Sequence, residues 1–269
     1  MILKQKQINL AVSSADKIVS IYYDIIEKIK EGQTLLEIDE IINKSMIDHK
    51  CRSCFLHYRI PGKKPFPYHS CLSLNDCIVH GMSDYSQHKI QSGDLLKIDI
   101  GISYNCFLAD VGWTFSVKNI KDDTNKNLML CGKECLLSGI KELKVGNTFY
   151  YWAKKVEEIC KKYNFQACKY LGGHGYGLKL HEPPFISNRL SDKDFVWLEE
   201  NNEFLPFSLL AVEPMISSGL EDIVNDIKDW PVFTADKSMS SHYEANVLVL
   251  PEGPLNLTEK MKDLPEVIG

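Results

Sequence analysis

Arginine is scarce in this chain: only Arg52, Arg59 and Arg189 occur in 269 residues, against 36 aspartates and glutamates. The net charge is −5 and no block of lysines stands out, so the electrostatic footprint of a nucleic-acid-binding protein is missing. No apolar run approaches the roughly 18 residues of a membrane span. The N-terminal stretch lacks the unbroken apolar core and small-residue cleavage site of a secretory leader. There is no G-x-S-x-G elbow for a nucleophilic serine, and no glycine-rich spacing of the kind that cradles phosphate at a helix start. Linkers rich in Gly, Ser or Pro are also absent. The expectation is one domain over residues 1–269, with a helical lead over 1–50 and a core over 51–260. With 44% hydrophobic and 25% charged residues, the composition is that of a soluble globular protein, expected in the cytoplasm.

Cysteine is plentiful but unpatterned. Nine occur, at 51, 54, 71, 77, 106, 131, 135, 160 and 168. An odd, scattered set in a chain of this length reads as reduced thiols in a reducing compartment. Cys51 and Cys54 have the spacing that opens a zinc site, but no second pair at suitable spacing completes it, so buried thiols are the better reading. None sits in a local signature of a nucleophile.

Apolar periodicity predicts a helix from about Leu3 to Lys30, through Ile8, Val12, Ile18, Ile21, Ile25 and Ile29. A second helix follows a Thr34 cap, with Leu36, Ile38, Ile41, Ile42 and Met46 as its apolar face. The segment RIPGKKPFPY, residues 59–68, must be a loop. Residues 95–104 and 106–116 read as a hairpin turning at Tyr104–Asn105. Helices are predicted over 124–143 and 147–163, then further strands ending in HYEANVLVL. Helices and strands come in pairs and do not alternate singly, which predicts an α+β fold with a mainly antiparallel sheet.

Four carboxylates interrupt apolar strand-like segments: Asp99 in LLKIDIGI, Asp110 in CFLADVGW, Glu213 in LLAVEPMI and Glu244 in HYEANVLVL. One such residue would ordinarily pair with an arginine or cap a turn. Four exceed the supply, since two of the three arginines precede the first long strand. Burying unpaired carboxylates costs several kcal/mol each, and a divalent cation is the simplest shared partner. Asp99 and Asp110 flank the hairpin turn and are expected across from one another on one face. His174 lies in LGGHGYGLKLHEPPFI between glycines that allow close approach, with His181 seven residues on; His80 closes CLSLNDCIVHG.

In order and spacing, the blocks CLSLNDCIVHG, LLKIDIGISYNCFLADVGWTF, GGHGYGLKLHEPP, AVEPM and SSHYEANVLVL resemble those of type I methionine aminopeptidases. These belong to the pita-bread metallopeptidases, with prolidase and aminopeptidase P. The resemblance implies an antiparallel sheet with flanking helix pairs, in pseudo-two-fold halves around a dinuclear metal site. It implies two divalent ions (Mn, Fe(II) or Co) held by Asp99, Asp110, His174, Glu213 and Glu244. It also makes Glu213 the general base, His80 and His181 substrate contacts with catalytic roles, and Phe66, Cys71 and Trp230 the lining of a methionine pocket. The implied activity is removal of the N-terminal methionine from nascent polypeptides with a small second residue, by a monomer. The ribosome is a candidate docking partner, and no nucleic-acid or membrane binding is implied. Prolidase-like relatives carry an extra N-terminal domain and type II enzymes a helical insertion between the His and Glu ligands. With 39 positions from His174 to Glu213, type I is the expected class. The chain departs from the family pattern at Ala245, where His is common, at Leu180, where an aromatic is usual, and at Lys63 and Lys64. An Xaa-Pro aminopeptidase and a catalytically silent binding module are the rival readings.

Overall fold

Residues 95–117 alternate apolar side chains over two long runs, and they form two antiparallel strands, Leu95–Tyr104 and Phe107–Val117. In this computed structural model, which describes residues 4–269, the hairpin turns at Asn105–Cys106, both with positive φ (50° and 64°). That is the two-residue turn whose twist suits a hairpin, and it comes one residue later than expected. Tyr104 therefore pairs with Phe107, and Gly101 with Asp110. Asp99, two residues from Gly101, stands diagonal to Asp110 on the same face and not directly opposite it. The shift by one residue moves the pairing by two places, so it preserves the shared face.

The first helix, α1, spans Gln5–Ile26, shorter than expected; Leu3 lies outside the described residues. Ile29 remains fully buried beyond the helix end, whereas Val12 is 37% exposed. The second helix, α2, is Leu35–Asp48. Its start is a reciprocal cap: Glu37 N–H donates to Thr34 Oγ1 at 3.2 Å and Thr34 N–H donates to the Glu37 carboxylate at 2.7 Å. Ile38, Ile42 and Met46 face the core, and Leu36 faces out. The second packs against the first, which covers the back of the hairpin. There the Tyr22 hydroxyl reaches the carbonyls of Ile98 and Val111, each at 2.7 Å.

The hairpin anchors a sheet that adds Cys71–Leu74 and Arg52–Ser53 beside Leu95–Tyr104. On the other edge Val267–Ile268 runs parallel to Ser116–Val117. A second sheet orders the strands Gly253–Asn256, Ala245–Leu250, Leu209–Val212, Gly172–Gly175 and Glu182–Ser187, all antiparallel. Helices α3 (Asp123–Gly139) and α4 (Phe149–Tyr163) pack on each other and cover this half, α3 continuing into a short 3₁₀ turn at Ile140–Glu142. Asn164, left-handed with φ 60°, stops α4. The expected α+β fold with a mainly antiparallel sheet and flanking helix pairs is what forms.

The two sheets meet along one seam. Glu244 N–H donates to Gly112 O at 2.7 Å. Asn246 brackets Asp110: its Oδ1 accepts from Asp110 N–H at 3.1 Å and its Nδ2 donates to Asp110 O.

Candidate metal site and active-site cavity

Each acidic residue reaches this seam by strand geometry. Asp99 and Asp110 share a face of the hairpin. In the second sheet His174 pairs with Ala211 and Ala245 with Val212. Continuing that register sets Glu213 opposite Glu244, on the face that carries His174. All five side chains line one cavity of about 330 Å³. Each is at most 8% exposed.

No lysine or arginine forms an ion pair with any of the four carboxylates among the described residues; their ion-pair contacts are histidines. Asp99 Oδ1, Asp110 Oδ1 and Glu244 Oε1 are buried without a hydrogen-bond partner. Burial first, then the neighbouring carboxylates, pushes all four acids well above their ordinary range. Such a set is costly as it stands. Divalent cations would reverse the penalty, and hard oxygen donors with one imidazole suit them. Asp110, His174 and Glu244 can each aim a donor atom at one point, their atoms lying within 4.8 Å of one another. His174 Nε2 is 3.8 Å from Asp110 and 3.6 Å from Glu213. Its Nδ1 faces Gly175 O at 3.0 Å, so the proton belongs on Nδ1 and the Nε2 lone pair faces the acids. Burial draws the ring down to about 4, which keeps it neutral and able to ligate.

The remaining expected residues line the same cavity: His80, His181, Phe66, Cys71 and Trp230. Cys71 pairs with Asp99 across adjacent strands, which brings the thiol beside the acids. Phe66 and Trp230 meet edge to face at 5.4 Å, and Trp230 Nε1–H donates to Lys64 O at 2.9 Å. The Pro-rich loop thus becomes one wall. Lys63 sits 5.5 Å above the Trp230 ring and donates to Asn225 at 3.2 Å, so this departure from the family pattern forms part of the rim. His181 Nδ1 lies 2.7 Å from the Tyr58 hydroxyl. Burial draws both His80 and His181 down to about 3, so both are neutral at physiological pH.

A family model described as "Metallopeptidase family M24" matches residues 11–251. The chain belongs to metallopeptidase family M24. Among curated relatives, the methionine aminopeptidase of Borreliella burgdorferi is 30% identical over 258 residues, 96% of this chain and 98% of that protein. That of Aquifex aeolicus is 29% identical over 256 residues, 95% of this chain and 97% of that protein. The solved methionine aminopeptidase of Thermotoga maritima superposes with a TM-score of 0.84 at 24% identity, covering 96% of this chain and 98% of that one. An Xaa-Pro dipeptidase from Bacillus anthracis shares the fold with a TM-score of 0.74 at 17% identity, this chain spanning 64% of its length. The expected kinship with methionine aminopeptidases, and with it the pita-bread fold and a hydrolase dependent on divalent metal, is borne out.

In this M24 chain several site residues went unread in the sequence. His242 is 1% exposed, with Nε2 at 3.1 Å from Glu213 and 3.9 Å from Glu244. Its ring lies over Gly112, where a Cβ would come within 2.7 Å of the imidazole. A visible signal existed: His242 stands two residues before Glu244, the spacing that returns to one face of a strand. Tyr58, Phe55 and Ile60 also line the cavity, beside Leu180, one of the departures from the family pattern. Asn188 donates to Glu213 O at 2.8 Å and steadies the backbone there.

Proposed function

We propose that this M24 chain is a methionyl aminopeptidase, hydrolysing the first peptide bond of polypeptides that begin with methionine and a small second residue. The observation that carries the reading is the cavity itself. A soft, apolar wall of Phe66, Cys71 and Trp230 faces a floor of four buried carboxylates, three of them with an unpartnered oxygen, and one oriented imidazole. Thioether, thiol and aromatic surfaces suit one another, and the names of the relatives support the choice of methionine. Asp99, Asp110, His174, Glu213 and Glu244 would hold two divalent ions, Asp110 and Glu244 being the carboxylates available to both.

When bound, the ions supply Lewis-acid polarisation of the scissile carbonyl and lower the pKa of a water toward neutrality. Glu213 takes the proton of the attacking water and passes it to the departing amine as the C–N bond breaks. His242, donating Nε2–H to Glu213, holds that carboxylate in place. With the Tyr58 hydroxyl donating to Nδ1, His181 carries its proton on Nε2 and offers it to the developing oxyanion. His80, whose ring meets Trp230 edge to face at 6.2 Å, contacts the substrate beside the scissile amide. A second recess shares His80, His174, His181 and Glu213 and runs out past Tyr170, Pro184 and Phe185. It receives the residues after methionine.

The substrate pool, on this reading, is nascent polypeptide N-termini in the cytoplasm, met by a monomer. The test is hydrolysis of Met-Ala-Ser by metal-free protein titrated with Mn(II) or Co(II), beside an Ala-Pro-Ser peptide and the Glu213→Gln variant. Release of methionine that appears with metal and falls at least roughly a thousandfold in the variant is expected. Preferential cleavage of the Ala-Pro peptide would replace methionine with an Xaa-Pro specificity.

A further inference from the structure

Helix α3 carries Cys131 and Cys135 at i, i+4, so both thiols leave one face. Helix α4 presents Cys160 to them across the helix pair. All three are free and buried, remote from the carboxylate centre in sequence and unused by the chemistry above. The three sulfurs lie within 4.8 Å of one another, and Cys135 Sγ is 3.9 Å from Cys160 Sγ. Metal–sulfur bonds of about 2.3 Å in a trigonal plane would set sulfurs about 4 Å apart. The Cys135–Cys160 pair already has that spacing, and Cys131 lies close enough to complete the triangle.

We propose that Cys131, Cys135 and Cys160 form a second metal site, a three-coordinate thiolate site for a soft monovalent cation of the Cu(I) class. The donor set decides the class. No His, Asp or Glu joins the group among the described residues, so a tetrahedral zinc site is short of a ligand. Thiolates select soft ions, whereas the carboxylate centre selects hard ones, which separates the two sites chemically. Charge points the same way. Hydrogen bonds from the two neighbouring thiols pull the Cys131 thiol below its ordinary range. One Cu(I) with one thiolate is neutral, a tolerable load for an apolar seam. Each further thiol that ligates as thiolate releases one proton to water. An entry path exists, because Cys160 also lines a surface cleft with Glu157, Lys161 and Asn164.

The experiment is Cu(I) titration of the full-length protein against a competing Cu(I) chelator. Wild type, Cys106→Ser, Cys131→Ser and Cys160→Ser are compared, with folding checked by circular dichroism. Cys106 is exposed and outside the cluster, so its variant is the control. The wild type and control should hold one equivalent of Cu(I), and each cluster variant should bind it at least about a hundredfold more weakly, beyond what outer-sphere partners contribute. X-ray absorption of the loaded wild type should show three sulfur neighbours and no nitrogen or oxygen. That measurement needs no variant, so it stands if a serine variant misfolds. Equal Cu(I) affinity in the folded cluster variants, loss of copper from wild type to the chelator, or a shell containing oxygen or nitrogen would each overturn the proposal.

Discussion

At the scale of single residues, the site depends on groups that carry no charge. Asn246 grips both backbone polar groups of Asp110, and it is fully buried. Truncating it leaves a buried N–H and C=O unpaired, at a cost of about 1–3 kcal/mol. Asn246→Ala should therefore lower the melting temperature and, by loosening Asp110, weaken Mn(II) binding measured by calorimetry. Gly112 acts by having no side chain. A methyl group there would meet the His242 ring at 2.7 Å, and displacing the ring disturbs its 3.1 Å contact with Glu213. Gly112→Ala should reduce kcat for Met-Ala-Ser far more than it raises KM, because the methionine wall is untouched. An unchanged kcat would show that His242 does not hold Glu213. The acids were legible in the sequence because ionisable groups inside apolar strands are anomalous. Asn246 was not, since a polar residue in a strand looks the same whether it faces water or a neighbouring sheet.

At the scale of elements, the hairpin decides the site's geometry through its turn. Two residues, Asn105 and Cys106, both occupy the left-handed region, and Cys106 is exposed. A non-glycine residue pays roughly 1 kcal/mol for that conformation, while asparagine tolerates it better. Cys106→Gly should raise the stability measured by urea unfolding by about 0.5–1 kcal/mol without altering activity. A third loop residue would have a different consequence. It would invert the facing of one strand and turn Asp110 away from Asp99, so an insertion between Asn105 and Cys106 should abolish metal binding while the strands still pair. Hydrophobic periodicity located this hairpin and the four helices. It missed the turn by one residue and the end of α1 by four, because Ile29 is buried by the fold and not by the helix that precedes it.

At the scale of the whole molecule, two sheets meet where their acids meet. Divalent ions that bind only the folded arrangement would add about 2.7 kcal/mol of stability at a hundred times the dissociation constant. Chelation should lower the melting temperature by several degrees, and Glu244→Gln should remove most of that metal-dependent increment. The buried thiols act over the same scale at alkaline pH. Burial raises Cys51 and Cys77 from 9 to about 11 and Cys168 to about 12. The unfolded chain loses these protons near pH 9 while the folded one keeps them. Their contribution is complete below pH 9 and is lost as pH rises toward 11, by at most about 1.4 kcal/mol per thiol per pH unit. Melting curves from pH 8 to 10.5 should fall more steeply for the wild type than for a Cys77→Ala variant.

The sequence by itself determined which residues could not be explained as a core: four acids in apolar strands, a histidine among glycines, and block spacings that resemble one family. It determined the α+β class too, since periodicity depends only on local chain geometry. Convergence belonged to the tertiary structure. Which strands register, that His242 crosses to Glu213, and that Cys160 on one helix meets Cys131 and Cys135 on another are all contacts between residues far apart in the chain. Periodicity assigns a side chain to a face; only packing decides what that face meets.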